Sequence, residues 1–335
     1  MTDRAGGLTQ PRTYRMKALT DVWTGDASGR PERLIPTGLL GSIRWWFEVL
    51  VRGLDGSACD PSNSRVRCPD RDRRRCVVCE LFGCTGWARK FRFDVLDASR
   101  QLKQEQITAG EVFELVFTPL RPVRPEEWAL LDATIRLIAD YGAVGGKTVY
   151  KPSDESRREN APHHLDYGLV RIESRAKADR CDCERLRNYV VDARWRRVEH
   201  GKFGWASLKN LWSIKGRYLA RESPTESAFN RILGRKEDKS VKEKRGRRVT
   251  RWSDLLDSRG DKTAAWLAGR QSESKKVFSF KQPDAARRTF GFARSKEELN
   301  QMRQRLKDQA WNKLRNGEFV TGDKILRELL GAGET

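Results

Sequence analysis

The chain has 335 residues, of which 38% are hydrophobic and 34% charged, and its 67 lysines and arginines against 46 acidic residues give a formal net charge of +21. This length fits two domains of ordinary size with folded cores. No apolar run approaches the roughly 18 residues of a membrane span, and the N-terminal MTDRAGGLTQPR has no apolar core for a signal peptide. We therefore expect a cytoplasmic protein that does not contact a membrane. The basic balance favours a nucleic acid as partner.

The first half begins with a strand pattern at 13–24, followed within 35–52 by a helix pattern for which Thr37 is a suitable N-cap. Apolar residues at helical spacing predict one buried face, made of Leu39, Ile43, Trp46, Phe47 and Leu50. The side chains expected to point away from that face are Arg44, Trp45, Glu48 and Arg52. The helix should therefore carry a cation and an aromatic ring outside the core.

The pattern continues with two strands, at 89–97 and 111–118, which are rich in β-forming residues. Pro125 then opens a second amphipathic helix that ends in the glycines of YGAVGGKT (141–148), and residues 165–172 supply a fourth strand. This β-α-β-β-α-β order is the ferredoxin-like arrangement, which RNA-recognition folds also use.

The second half shows a weaker pattern of the same kind. Its strand patterns lie at 203–220, 275–280 and 287–293, and its helix patterns at 223–234 and 295–314. Ser295 and Glu298 predict a capping box for the last of these helices. Residues 236–251 have almost no apolar content and should form a basic loop.

The predicted fold class is α+β, with two ferredoxin-like (RRM-like) domains in tandem. The first, at 1–174, has a Cys-rich insertion at 53–88 and a glycine-rich loop at 142–148. The second, at 175–335, is a degenerate copy that contains the basic loop.

Cysteines are concentrated in the insertion. Cys59, Cys68, Cys76 and Cys79 have the spacing C-x8-C-x7-C-x2-C, which supplies four thiolates to one tetrahedral Zn²⁺. A short insertion with little core benefits from such a structural ion. Cys84 is a fifth candidate, left out because a small residue could serve equally well in LFGCTGW. The alternative is a set of unliganded thiols, and a redox site is disfavoured because the C-x-x-C does not open a helix in a thioredoxin-like unit.

The glycine-rich loop resembles a nucleotide-binding loop only superficially. The G-x-x-x-x-G-K-T pattern would need a glycine where Tyr141 stands, and a phosphate loop leads from a strand into a helix, whereas this loop leaves one. We therefore expect no nucleotide cofactor. Gly145 and Gly146, with Lys147, Thr148 and Lys151, instead suit close approach to an RNA backbone. The alternative is an ordinary helix C-cap and turn.

Histidines and tryptophans give further candidates. His163 and His164 precede a predicted strand. They are candidates for contact with RNA or for a general base in RNA cleavage, and the alternative is that they only form hydrogen bonds within the loop. Trp45 and Trp87 are candidates for stacking on a base or for packing within the protein.

Three segments together resemble a known family. IPTGLLGSIRWWFE (35–48) resembles the G-x-x-R-W helix of the RAMP proteins of CRISPR systems, and CVVCELFGCTGWARKFRF (76–93) resembles their LFG segment. YGAVGGKTVYKP (141–152), followed by HHLDYGLVRI (163–172), resembles their glycine-rich loop and last strand. In this order they most closely resemble the family of first subunits of the Cmr complex, the type III-B effector.

This resemblance implies a non-catalytic subunit of a guide-RNA ribonucleoprotein in antiviral defence. It implies a place at the head of the complex near the 3′ end of the guide RNA, beside other RAMP subunits, with contact to guide and target RNA and with nuclease activity in other subunits. The RNA-facing residues that it implies are Arg44, Trp45, Lys90, Arg92, Gly145, Gly146, Lys147, Thr148, His163 and His164.

Two alternatives remain from the sequence. One is a metal-independent endoribonuclease that processes guide RNA on the same fold. The other is a scaffold that contacts proteins only, which a flat salt dependence of RNA affinity would indicate.

Overall fold

The structure of the chain is a computed structural model. It describes residues 10–25, 32–60, 63–146, 152–158, 161, 164–177, 179, 181–223, 226–234, 262–269 and 273–331. By contacts the chain divides into two compact units, the first made of residues 1–147, 167–210 and 322–335 and the second of 148–166 and 211–321. The first unit thus draws on both predicted domains, 1–174 and 175–335.

The first unit contains a four-stranded antiparallel sheet with the order β2-β3-β1-β4. Its strands are β1 (Arg12–Ala18), β2 (Phe91–Leu96), β3 (Val112–Pro119) and β4 (Val170–Arg175). Helix α1 (Pro36–Gly53) follows β1, and α3 (Pro125–Tyr141) follows β3. Element order and strand order are both those of the ferredoxin-like fold, as predicted.

One face of this sheet packs on the two helices. Side chains alternate along the strands, so that Tyr14, Met16 and Ala18 of β1 are buried while Arg15 between them is exposed. The predicted stripe on α1 is confirmed, since Leu39, Ile43, Trp46, Phe47 and Leu50 are all buried.

One expectation about α1 is wrong. The helix begins one residue before Thr37, with Ile35 as N-cap and Pro36 at its first position, so the proline's fixed backbone angle rather than a side-chain cap starts it. Glu48 and Arg52, on the polar side of the helix, are also buried. Arg52 donates to the carbonyl oxygens of Cys59 (2.9 Å) and Ala206 (3.1 Å). Segments distant in sequence therefore cover the polar side of the helix.

Between α1 and β2 lies the predicted insertion, whose one α-helix among the described residues is α2 (Val77–Phe82). The first unit also contains α4 (Cys183–Val191), which Asp182 caps through a hydrogen bond from the Arg185 amide (2.7 Å).

The second unit has a sheet of the same topology, with the order β6-β7-β5-β8. Its strands are β5 (Leu211–Lys215), β6 (Val277–Phe280), β7 (Arg288–Phe292) and β8 (Val320–Thr321). The described helices are α5 (Ala228–Ile232) and α6 (Lys262–Ala268) between β5 and β6, and α7 (Lys296–Gln309) between β7 and β8. The predicted α+β class with two antiparallel sheets is confirmed, and the basic segment 236–251 lies outside the described residues.

Ser295 caps α7 as predicted, by accepting a hydrogen bond from the amide of Glu298 (3.3 Å). The reciprocal bond goes one residue further back, because the Glu298 carboxylate accepts from the amide of Arg294 (2.8 Å) rather than from that of Ser295. After β8 the chain enters α8 (Gly322–Leu330), which belongs to the first unit. None of the helices in the described ranges combines the length and apolarity that crossing a bilayer requires.

Candidate metal centre and nucleic-acid interface

The four predicted cysteine ligands converge in the first unit. Cys59, Cys68, Cys76 and Cys79 are all buried, and their four sulfur atoms lie within 4.8 Å of one another. The Sγ atom of Cys59 is 3.4, 3.9 and 3.7 Å from those of Cys68, Cys76 and Cys79. Four thiolates around Zn²⁺ at about 2.3 Å would have their sulfurs about 3.8 Å apart. The spacing therefore fits a tetrahedral thiolate site and is too long for a disulfide.

Local structure explains how the sulfurs are directed. Cys76 is the N-cap of α2, so Cys79, three residues later, returns to the same side of the helix. The backbone amides of Cys68 and Cys76 point at sulfurs, donating to Sγ of Cys59 (3.4 Å) and of Cys68 (3.2 Å). Donors of this kind favour the thiolate form that binds a metal.

Two arginines adjoin the sulfur cluster. Arg44 of α1 donates to Sγ of Cys79 (3.2 Å), to the carbonyl of Gly83 (2.9 Å) and to Glu48 (3.1 Å). Arg196 donates to the carbonyl of Val66 (3.1 Å) and lies 3.6 Å from Sγ of Cys68. A divalent ion with four thiolates has a net charge of −2, which these two guanidinium groups would balance. Arg196 could not be identified from the sequence as a neighbour of the site, because more than a hundred residues separate it from the cysteines.

The thiols influence one another strongly. Hydrogen bonds from Cys59, Cys76 and Cys79 lower the pKa of Cys68, whereas the same close packing raises the pKa of Cys79. Neighbouring thiolates repel, so the four cannot all ionise at this spacing unless a cation lies between them. The fifth cysteine, Cys84, is half-buried and is not one of the four clustered residues.

The glycine-rich loop uses its described amides inside the first unit. Val144 donates to the carbonyl of Gly168 (2.8 Å), Gly145 to the hydroxyl of Ser42 (3.0 Å) and Gly146 to the carbonyl of Trp23 (2.7 Å). These three amides are therefore not the bare donors that a backbone-binding loop would offer. Lys147, Thr148 and Lys151 lie outside the described residues.

The loop's glycines do have a steric role. Gly145 has a φ of 107°, and a Cβ atom there would lie 2.6 Å from the carbonyl oxygen of Trp23. At Gly142 a Cβ atom would lie 2.4 Å from the ring of Trp46, whose indole nitrogen donates to the carbonyl of Ala143 (2.8 Å). The loop thus fits closely against α1 and the segment after β1.

The two basic candidates at β2 have different surroundings. Lys90 is buried, and its ammonium lies 2.8 Å from Glu127 and 2.9 Å from Glu80. Arg92 has 62% of its side chain exposed and pairs with Asp94 at 2.7 Å. Of the two, only Arg92 presents its charge at the surface.

The predicted aromatic and histidine contacts to RNA differ in how accessible the structure leaves them. Trp45 is half-buried, and its ring meets that of Trp46 edge-on at 4.9 Å. The guanidinium groups of Arg75 and Arg121 lie 3.6 and 4.1 Å from the ring centre of Trp87, so cations already cover that ring. His164, in the second unit, is buried and donates its amide to the carbonyl of Ala161 (2.8 Å). His163 lies outside the described residues.

Comparison with known proteins finds a similarity to one protein family in the first part of the chain. Residues 15–150 match the model of the RAMP superfamily. No curated protein matches the chain in sequence. Among solved structures, it is similar to Cmr1 from Pyrococcus furiosus in its apo form, at 12% identity and a TM-score of 0.40, over 96% of this chain and 97% of that chain. It is also similar to a chain of the Csm3-Csm4 subcomplex in the type III-A CRISPR-Cas interference complex, at 17% identity and a TM-score of 0.24, over 49% of this chain and 75% of that chain.

The family match begins within β1 and extends past the end of α3. It therefore includes α1, the cysteine cluster and the described part of the glycine-rich loop. Over residues 15–150, less than half of its length, the chain is similar to the RAMP superfamily.

Proposed function

We propose that the protein is a non-catalytic RNA-binding subunit of a type III CRISPR effector of the Cmr (III-B) kind. In this proposal it acts in the cytoplasm beside other RAMP subunits, at the head of the complex near the 3′ end of the guide RNA, and helps to capture target RNA in antiviral defence. The observation that carries the proposal is the RAMP match over residues 15–150.

Charge supports RNA as the ligand. A net charge of +21 favours a polyanion, and phosphate contacts supply most of the sequence-independent affinity for nucleic acids. Guide–target base pairing would supply the sequence specificity, as it does in other RNA-guided effectors. The subunit then needs only to hold the backbone, for which Arg92 and the basic residues of the loop from Lys147 to Lys151 are candidates.

We further propose that the four clustered cysteines bind one structural Zn²⁺. Four soft ligands at tetrahedral spacing suit zinc, and a site closed by four protein ligands has no open position for a substrate. The ion would tie α2 and the preceding loop to the end of α1. Elemental analysis of the purified protein should give about one zinc per chain, and a metal-free folded protein would contradict this assignment.

The functional proposal is tested by purifying the tagged protein from its host in mild salt. We expect it to bring down other RAMP subunits together with short RNAs that carry a repeat-derived tag. Recovery of the protein alone, or with RNA that lacks such a tag, would contradict the proposal.

A second measurement addresses RNA binding itself. Lys147→Glu should weaken binding to RNAs of any sequence and reduce the salt dependence of the affinity, because it replaces a cation with an anion beside the backbone. Arg303→Glu, on the exposed side of α7, is the matched control for the change in charge. Loss of RNA cleavage in a His163→Ala, His164→Ala variant that still binds RNA would favour the endoribonuclease instead.

A further inference from the structure

The loop between two of the clustered cysteines carries a group of exposed arginines. We call residues 70–75 the arginine tip. It lies between Cys68 and Cys76, so both of its ends are held at the candidate metal centre. Arg71, Arg73 and Arg74 are exposed within it.

Hydrogen bonds fold the tip into a tight turn. The amide of Asp70 donates to the carbonyl of Arg74 (3.1 Å), and the amide of Arg73 donates to the carbonyl of Asp70 (3.1 Å). The Asp70 carboxylate accepts from the Arg74 amide (2.7 Å). The amide of Arg196 donates to the carbonyl of Arg75 (2.8 Å), which anchors the exit of the turn to the rest of the first unit.

The backbone at Arg73 is unusual for an arginine. Its φ is 61°, in the left-handed region that glycine and asparagine favour and that is unfavourable for a long side chain. The turn alone would be formed more easily with glycine. An arginine in a strained position therefore points to a role for its side chain.

The arginines of the tip differ in whether they form ion pairs with described acidic residues. Arg74 pairs with Asp70 (3.3 Å) and Asp72 (3.2 Å), and Arg75 pairs with Glu80 (3.2 Å). Arg71 and Arg73 form no ion pair with any residue that the structure describes. Within the described part of the chain, the turn thus presents two guanidinium groups that have no ion-pair partner, on a backbone fixed at both ends.

We propose that the arginine tip binds backbone phosphates of RNA through Arg71 and Arg73, and that the metal centre holds the tip in place for this contact. This rests on the proposed RNA-binding function and adds a specific contact to it. RNA is the favoured partner because the whole chain is strongly basic and the planar guanidinium group matches a phosphate with paired hydrogen bonds.

The test measures binding of the full-length protein to a labelled single-stranded oligouridylate over a range of salt concentrations. Two lost phosphate contacts should reduce the slope of log affinity against log salt by about 1.4 and lower the affinity roughly fifteenfold near 0.15 M salt. We expect this of Arg71→Ala, Arg73→Gly. The control, Arg303→Ala, Lys307→Ala, removes two exposed charges from α7 and should leave the affinity nearly unchanged.

Arg73→Gly alone separates binding from folding. Glycine relieves the strained backbone, so the midpoint of thermal unfolding should stay the same or rise while RNA affinity falls about fourfold. A lower midpoint with unchanged affinity would mean that Arg73 serves the fold, and would overturn the proposal.

Metal removal tests the second half of the proposal. Chelator-treated wild type, with its secondary structure checked by circular dichroism, should bind RNA as weakly as the double variant. The chelator should weaken RNA binding by the double variant little further.

Equal losses of RNA affinity in the double variant and the α7 control would overturn the proposal while leaving the RNA-binding function intact. If the double variant binds RNA as well as wild type but no longer binds a protein partner, the arginine tip is a binding site for that protein and not for RNA. A wild-type protein that does not bind RNA would overturn the proposed function as well.

Discussion

Lys90→Met should destabilise the first unit strongly, because the buried ammonium of Lys90 lies between two carboxylates. Its Nζ atom is 2.8 and 3.0 Å from the two oxygens of Glu127, whose side chain is fully buried, and 2.9 Å from Glu80. Glu80 keeps a second partner in Arg75 at 3.2 Å, but Glu127 loses its only cation among the described residues. Removing one member of a buried ion pair costs about 3–5 kcal/mol.

Urea denaturation followed by tryptophan fluorescence would measure this loss. Arg92→Met, at an exposed position of β2 two residues after Lys90, is the control and should change stability by no more than about 0.5 kcal/mol. Glu127→Gln should restore part of the loss in the Lys90→Met background, since glutamine can still accept the Arg124 amide hydrogen bond (2.8 Å) without burying a charge. If Lys90→Met costs no more than Arg92→Met, or if Glu127→Gln makes it worse, the buried-pair reasoning fails.

Three further predictions concern other parts of the chain. Gly168→Ala should destabilise the protein in thermal unfolding by at least about 2 kcal/mol more than Gly86→Ala does. Both glycines have a positive φ, but only at Gly168 would a Cβ atom collide with the Val144 carbonyl. Equal effects of the two substitutions would contradict this prediction. Arg44→Lys should weaken zinc binding roughly tenfold or more, measured in competition with a chelator. The reason is that one lysine cannot contact Cys79, Gly83 and Glu48 together, as Arg44 does. An unchanged zinc affinity would contradict this prediction. Burial raises the pKa of Asp166 from 3.8 to about 6, so its ionised form costs stability above pH 6 and this cost disappears as the pH falls toward 4. Asp166→Asn, which keeps an acceptor for the amides of Lys281 and Gln282, should therefore stabilise the protein near pH 7.5 by on the order of 2 kcal/mol and hardly at all near pH 4, as urea denaturation at the two pH values would show.

Local periodicity was sufficient to predict the four strands of the first sheet, three of the four strands of the second, and the buried stripe of α1. It missed β8, which has only two residues and so shows no alternation. It could not predict the burial of Glu48 and Arg52 on the opposite side of that helix. Arg52 is held by the carbonyl of Ala206, which lies 154 positions further along the chain. A pattern read within a few helical turns cannot identify such a partner.

The cysteine spacing identified the four clustered sulfurs because ligands of one small site lie close together in sequence. The glycine-rich loop was harder to interpret, because glycines are equally required for close approach to a ligand and for close packing inside the protein. The hydrogen bonds to Ser42 and Trp23 show the second use at Gly145 and Gly146. Only the folded chain reveals these partners.

The return of α8 to the first unit affects the order in which the protein can be completed during synthesis. Arg136 of α3 donates to the carbonyl of Leu329 (2.8 Å), and at Gly322 a Cβ atom would collide with the carbonyl of Leu208. The first unit therefore needs α8 to leave the ribosome before it is complete, whereas the second unit, which ends at residue 321, does not. Deletion of α8 would remove part of the unit that contains β1, and a fragment ending after β4 would lack both α4 and α8.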